Sequence, residues 1–220
     1  MGWDDTEVQS LYDRSVQVPL LWDLDAWFGR ATENSIYRKK AIAALKLAPD
    51  AAVLDAACGT GLNFKLLQRR LGEEGKLVAV DLSSGVLRVA AERVRKHGWT
   101  NVELVQASIV DYWPELRFDA VLCTLAMTII PKYEAALERM LDLLKPEGRF
   151  AMIGIRPSDW TPYRFFNPAM GWICRLGRID WDRDVAGRIR AKCRQVAYEE
   201  CFGGWYYILS TSKSSCVEAG

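Results

Sequence analysis

Two glycines, Gly59 and Gly61, flank Thr60, and two acids bracket them: Asp55 four residues before Gly59 and Asp81 twenty residues after Gly61. Glycines at that spacing behind an aliphatic run let the chain turn tightly and bring backbone N–H groups up against a ligand. A carboxylate at Asp81 can accept two hydrogen bonds from a ribose diol. The stretch VLDAACGTGLN, residues 53–63, therefore reads as a strand, a glycine turn and the opening of a helix at Asn63. A dinucleotide fingerprint would carry a third glycine three residues after the second, but position 64 is Phe, whose bulk disfavours a pyrophosphate close to the helix. Asp55 would repel a phosphate and attract a cationic amine. The residue set suits a phosphate-free nucleoside bearing an amino acid, and S-adenosylmethionine is the obvious candidate.

These residues must be brought to one end of a sheet, and the rest of the chain has the rhythm to do so. Hydrophobic periodicity predicts a helix over 33–47, then strands over 52–57, 76–81, 102–106, 120–123 and 149–155. Helices over 64–71, 86–97 and 133–144 fall between them, the second capped by Ser83 or Ser84 and closed by Gly98. A turn at 145–148 leads into the fifth strand. Residues 156–177 form a connection rich in proline and aromatics, 183–195 a basic helix, and 196–212 two short strands around Gly203-Gly204. The alternation predicts an α/β, doubly wound, mostly parallel seven-stranded sheet. Ligands of such sheets bind beyond the carboxyl ends of the strands. Leu82, Ala107, Ser108, Ile109 and Thr124 fall there too, Leu82 to press on an adenine face and Ser108 to read the adenine edge.

Composition bounds the function. Half of the 220 residues are hydrophobic and the formal net charge is +1, so no global field argues for nucleic acid. Six cysteines are scattered without a C-x-x-C pair, which predicts buried free thiols and a reducing, cytoplasmic setting. No secretory signal is read at the start, and no apolar run approaches the ~18 residues of a membrane span. No cluster has metal-ligand spacing.

The segments VLDAACGTGLN, LVAVDLSSGVL, VELVQASI, FDAVLCTLAM and LKPEGRFAMIGI together resemble class I S-adenosylmethionine-dependent methyltransferases over residues 40–155. GWTNVELV and TIIPKYEAAL place the likeness nearest to small-molecule and lipid methyltransferases, namely bacterial phospholipid N-methyltransferases and the ubiquinone/menaquinone C-methyltransferase group. The resemblance implies a Rossmann-like methyltransferase fold in one domain. Residues 1–40 would be a helical cover, 41–155 the cofactor-binding core, 156–195 a substrate lid and 196–212 the last strands. It implies Gly59 and Gly61 at the methionine moiety, Asp81 on the ribose, Leu82 with Ser108 and Ile109 around adenine, and Thr124 below the sulfonium. Tyr12, in LYDRS, resembles the segment that folds over the cofactor and is a candidate for catalysis as well. The family often has an acid where this chain has Ser108, and serine accepts a more weakly held bond.

Methyl transfer from a sulfonium needs alignment, exclusion of water and, for some acceptors, a base. The single histidine, His97, falls at a helix end, so a histidine base is not expected and positioning is favoured. The lid would offer Arg156, Trp160, Tyr163, Phe166 and Trp172 to an acceptor, with Met127 lining its pocket; aromatic faces suit an ammonium and arginines an anion. Between 156 and 196 nine Lys/Arg face four Asp/Glu, which with residues 17–30 suggests contact with a membrane surface. The expected acceptor is a lipid head-group amine, then a polyprenyl quinone ring or a specialised metabolite. A non-catalytic binding protein and a nicotinamide oxidoreductase are the rival classes. No nucleic-acid partner is expected, because Thr124-Leu125-Ala126-Met127 stands where a base methyltransferase would carry a polar Pro-Pro-Tyr motif. No oligomeric state can be read.

Overall fold

The computed structural model describes residues 4–15 and 34–217. Its elements run α1 (Asp5–Ser15), α2 (Asn34–Ala44), β1 (Ala52–Ala56), α3 (Phe64–Gln68), β2 (Lys76–Asp81), α4 (Ser84–His97), β3 (Val102–Gln106) and β4 (Phe118–Thr124). They continue with α5 (Tyr133–Asp142), β5 (Leu144–Ile155), α6 (Asn167–Leu176), α7 (Val185–Lys192), β6 (Val196–Cys201) and β7 (Tyr206–Ser212). One seven-stranded sheet has the order β3-β2-β1-β4-β5-β7-β6. The first five strands are parallel, and β7 runs antiparallel between β5 and β6. This is the Rossmann-like methyltransferase fold.

Central strands buried on both faces must be apolar at nearly every position. Val53, Leu54 and Ala56 of β1 and Ala120, Val121, Leu122 and Cys123 of β4 have no solvent exposure. Leu54, Val121 and Met152 point to the face covered by α5 and α7, where Leu137, Met140, Val185 and Ile189 meet them. Val53, Ala79 and Leu122 point to the other face, covered by α2, α3 and α4 through Ile42, Leu67 and Ala90. The edges are β3 and β6, each bearing a glutamate in an ion pair, Lys76–Glu103 and Lys40–Glu199.

Helix α4 follows its expected signals: Ser83 Oγ accepts from Val86 N, and Gly98 closes the helix in the left-handed region at φ 65°. Other elements differ. Helix α3 ends at Gln68, and α5 ends at Asp142. The predicted turn 145–148 is instead an irregular insertion within β5, between the pairs Phe118↔Leu144 and Ala120↔Arg149. Residues 156–177 are not a plain connection but contain a short 3₁₀ turn, Tyr163–Phe166, and helix α6. Pro168 fits in the first turn of α6, where a missing N–H costs nothing.

The reading of six free thiols is corrected. Cys193 and Cys216 form a disulfide, because the end of α7 and the segment after β7 are zipped together by Arg194 N to Ser215 O and Val217 N to Lys192 O, each 2.8 Å. Cys58, Cys123, Cys174 and Cys201 are free and buried. The inference of a reducing compartment loses part of its ground. Among the described residues no helix is long and apolar enough to cross a membrane; the apolar stretch 17–30 lies outside the described residues.

Gly98 lies at the amino-terminal end of the strands, away from the carboxyl-end crevice. Gly98→Ala would force a side chain into the left-handed region and should lower stability by about 1 kcal/mol. Urea denaturation should show that loss while nucleoside binding stays unchanged.

Candidate cofactor and acceptor site

The carboxyl ends of β1 and β4 are joined by a buried polar network. Asp55, with no solvent exposure, accepts from Asn63 Nδ2 on both carboxylate oxygens, at 2.9 and 3.1 Å. The same amide donates to Thr124 Oγ1 at 3.1 Å, and its oxygen accepts from Arg38 Nη1 at 2.6 Å. Arg38 also donates to Thr124 Oγ1 at 2.8 Å. Arg38, on α2, was invisible to sequence reasoning. Asp55 therefore does not line the crevice as expected: its oxygens hold Asn63 and so fix the turn from below. Burial pushes its carboxyl up to about 7, against the opposing pull of Asn63 and Arg38.

Above that network, Ala57, Gly59 and Gly61 all have positive φ, at 52°, 56° and 77°. A Cβ on Gly61 would stand 2.5 Å from the Phe64 ring, which is fully buried against it. Phe64 is thus a core residue, and its ring does not obstruct a ligand as the sequence suggested. A Cβ on Gly59 would meet nothing within 4 Å, so the turn opens onto free space. Asp81 closes β2 beside it, with Oδ2 accepting from Gly59 N at 2.8 Å and Oδ1 from Ser83 N at 2.9 Å. Burial raises its carboxyl above the ordinary range. Ala107 N donates to Asp81 O at 3.0 Å, which sets Ala107 and Ser108 next to Asp81. Leu82 is half-buried at the same corner. Ile109 is 5% exposed and turned into the core, so its side chain does not face adenine space. Thr60 is nearly buried and gives its carbonyl to Arg93 Nε at 3.0 Å.

Helix α1 roofs this corner. Asp13 Oδ1 accepts from Ser83 Oγ at 2.6 Å and from Gly85 N at 2.9 Å, satisfying a free donor of the first turn of α4. Tyr12, its neighbour, is half-buried. The Tyr-Asp pair was visible in the sequence, but the anchoring role belongs to Asp13.

The expected acceptor residues do not converge. Met127 is 1% exposed and packed in the core; only its carbonyl is used, by Arg183 Nη1 at 3.1 Å. Arg156 pairs with Glu200 at 2.8 Å and with Asp159. Trp160 Nε1 donates to Glu200 Oε2 at 2.7 Å, and Tyr163 packs over Gly203 and edge-on to Trp205 at 5.4 Å. Phe166 and Trp172 face outward. A cavity of about 330 Å³ beside β6 and β7 is lined by Trp181, Asp182, Asp184, Tyr198 and Tyr207, with Arg156 and Arg190 at its wall. Sequence spacing gave no signal for it, since the lining comes from four separate segments. Arg183 pairs with Asp180 at 3.0 Å, and Arg190 stacks 4.3 Å over Tyr198. Burial raises Tyr198 and Tyr207, so their phenols stay protonated as donors.

His97 ends α4 at the amino-terminal end of the strands, its Nδ1 2.9 Å from Arg93 O and its ring stacked on Trp99. Burial raises the Cys58 thiol well above its usual range and pushes Cys123 up to about 12, which removes both as thiolates at neutral pH.

A glycine turn open above Gly59, with a carboxylate at the second strand end and a small polar residue at the third, is the arrangement expected for a nucleoside-binding methyltransferase site. Residues 53–148 match the methyltransferase domain family, and over that stretch the chain is similar to class I S-adenosylmethionine-dependent methyltransferases. It is 30% identical over 162 residues to methyltransferase tpcH of Aspergillus fumigatus, covering 67% of this chain and 57% of that one. It is 31% identical over 166 residues to demethylmenaquinone methyltransferase of Symbiobacterium thermophilum, covering 74% and 64%. The chain thus spans less than two thirds of the length of either relative. In fold it is similar to N-methyltransferase NodS from Bradyrhizobium japonicum, solved with S-adenosylhomocysteine: TM-score 0.67, 14% identity, 91% of this chain and 97% of that one.

Two predictions follow from the support beneath and above the turn. Asp55 is raised on folding, so its contribution to stability is full below its unfolded value of 3.8 and is lost as pH rises through about 7. Asp55→Asn should flatten that decline, on the order of a few kcal/mol, in denaturation midpoints measured from pH 4 to 8. Asp13→Ala should free α1, read as faster amide exchange over residues 5–13 with the sheet unchanged.

Proposed function

We propose that the protein transfers the methyl group of S-adenosylmethionine to a small apolar or amphiphilic acceptor, working at or near a membrane surface. The reading is carried by one arrangement: open space over Gly59 with the Asp81 carboxylate beside it, under a helix pinned by Asp13. When bound, the cofactor supplies a methyl group already activated by positive sulfur. The Gly59–Gly61 backbone would hold its amino-acid end, Asp81 its ribose, and Leu82, Ala107 and Ser108 its base. Thr124, tied to Asn63 and Arg38, would floor the methyl side. With no histidine or thiolate in reach, the chain contributes alignment and exclusion of water.

The demethylmenaquinone methyltransferase relative supports a quinone-type ring as acceptor. A lipid head-group amine is the second reading, favoured by the cavity's own chemistry. Asp182 and Asp184 would draw an ammonium, while Arg156 and Arg183 are already paired with carboxylates and Arg190 is stacked on Tyr198. A specialised metabolite stays within the same class.

Calorimetric titration should give binding of S-adenosylmethionine and S-adenosylhomocysteine and none of NADH; the reverse would favour an oxidoreductase. Asp81→Ala should weaken binding by about 1.5–3 kcal/mol, or roughly 10- to 150-fold. Labelled methyl transfer to demethylmenaquinone against phosphatidylethanolamine separates the two acceptors. Tyr207→Phe should impair acceptor use while leaving cofactor binding intact.

A further inference from the structure

Helix α6 is apolar on two faces. Its inner face is small and packed: Gly171 lies 3.2 Å, measured from where its Cβ would be, from the Trp181 ring, and Cys174 is buried beside it. Its outer face carries Trp172, Ile173 and Leu176, continued by Phe165 and Phe166 in the turn before it. These five side chains are each between 54% and 70% exposed. Among the described residues, seven of the eleven exposed large apolar side chains lie between 160 and 176, so this is a patch and not scatter.

The patch also has a sign. From Trp160 to Gly177 the chain contains Arg164 and Arg175 and no acid. Its position is set at both ends. Trp205 Nε1 donates to Asn167 Oδ1 at 2.9 Å, anchoring the start of α6 on the β6–β7 turn. At the far end, Arg178 pairs with Glu7 of α1 at 3.9 Å. The helix therefore spans from the acceptor side to the roof of the cofactor corner, with its apolar stripe outermost.

We propose that this outer face is a docking surface for an anionic lipid bilayer, with Phe165, Phe166, Trp172, Ile173 and Leu176 entering the headgroup–acyl boundary and Arg164 and Arg175 meeting lipid phosphates. Aromatics with flanking arginines match an interface that is apolar inside and negative outside. A two-fold contact between copies fits less well, because it would set Arg164 and Arg175 against themselves with no acid in the stretch. The inference rests on the reading of an amphiphilic acceptor, and names the surface through which such an acceptor would be met.

The test is co-sedimentation of the full chain with vesicles of equal parts phosphatidylcholine and phosphatidylglycerol, against phosphatidylcholine alone. Binding should prefer the anionic vesicles and fall with salt. Ile173→Glu with Leu176→Glu should weaken it about tenfold or more, and Arg164→Glu with Arg175→Glu should remove the preference for anionic lipid. S-adenosylhomocysteine titration of each variant checks that the fold is intact and reports separately on the proposed activity. Absence of vesicle binding, or binding indifferent to these substitutions, overturns the proposal. So does a dimer in light scattering that dissolves in Ile173→Glu, or a photocrosslinker at Leu176 captured on residues 16–33 of the same chain.

Discussion

The side-chain amide of Asn63 is the point where the carboxyl ends of β1 and β4 are held to α2. It bonds to Asp55 on β1, Thr124 on β4 and Arg38 on α2, all within an otherwise apolar centre. Each of these groups, left unpaired there, would cost about 1–3 kcal/mol. The network is therefore all-or-none. Because it sits directly beneath the turn, the left-handed residues above it are held in register with the strand ends.

The two sides of the sheet are built by different forces. The side bearing the glycine turn uses buried hydrogen bonds and strands without exposure, and its geometry belongs to the sheet. The other side, α6, α7 and the β6–β7 pair, is assembled through part-exposed ion pairs such as Arg156–Glu200 and Arg183–Asp180. Contacts of that kind contribute little each. The glycine turn thus rests on the stiff side of the sheet, and the cavity beside β6 and β7 on the softer one.

Much of this was legible in the sequence because it depends on local signals. Ser83 and Gly98 bounded α4, the Asp55–Gly61 run marked the turn, and alternating apolar segments gave the strands. What failed depended on contacts between distant residues. Nothing near Ile109, Met127 or Phe64 says that these side chains turn inward. The Cys193–Cys216 pairing needed α7 beside the chain's last turn. Helix α6 was hidden because apolar residues on both faces blur a 3.6-residue period, and Pro168 looked like a breaker. Arg38 had no motif to mark it, and Asp13 stood in a recognisable pair without its anchoring role showing, since each acts on an element far along the chain.

Both outer strands carry glutamate, Glu103 on β3 and Glu199–Glu200 on β6, and Glu103 and Glu199 pair with Lys76 and Lys40. An open sheet invites another chain to extend it with its own strand. Here an identical chain arriving edge to edge could bring like carboxylates near one another, which opposes such pairing. The same few residues that trim the margins of the sheet therefore weigh against its extension by a second copy.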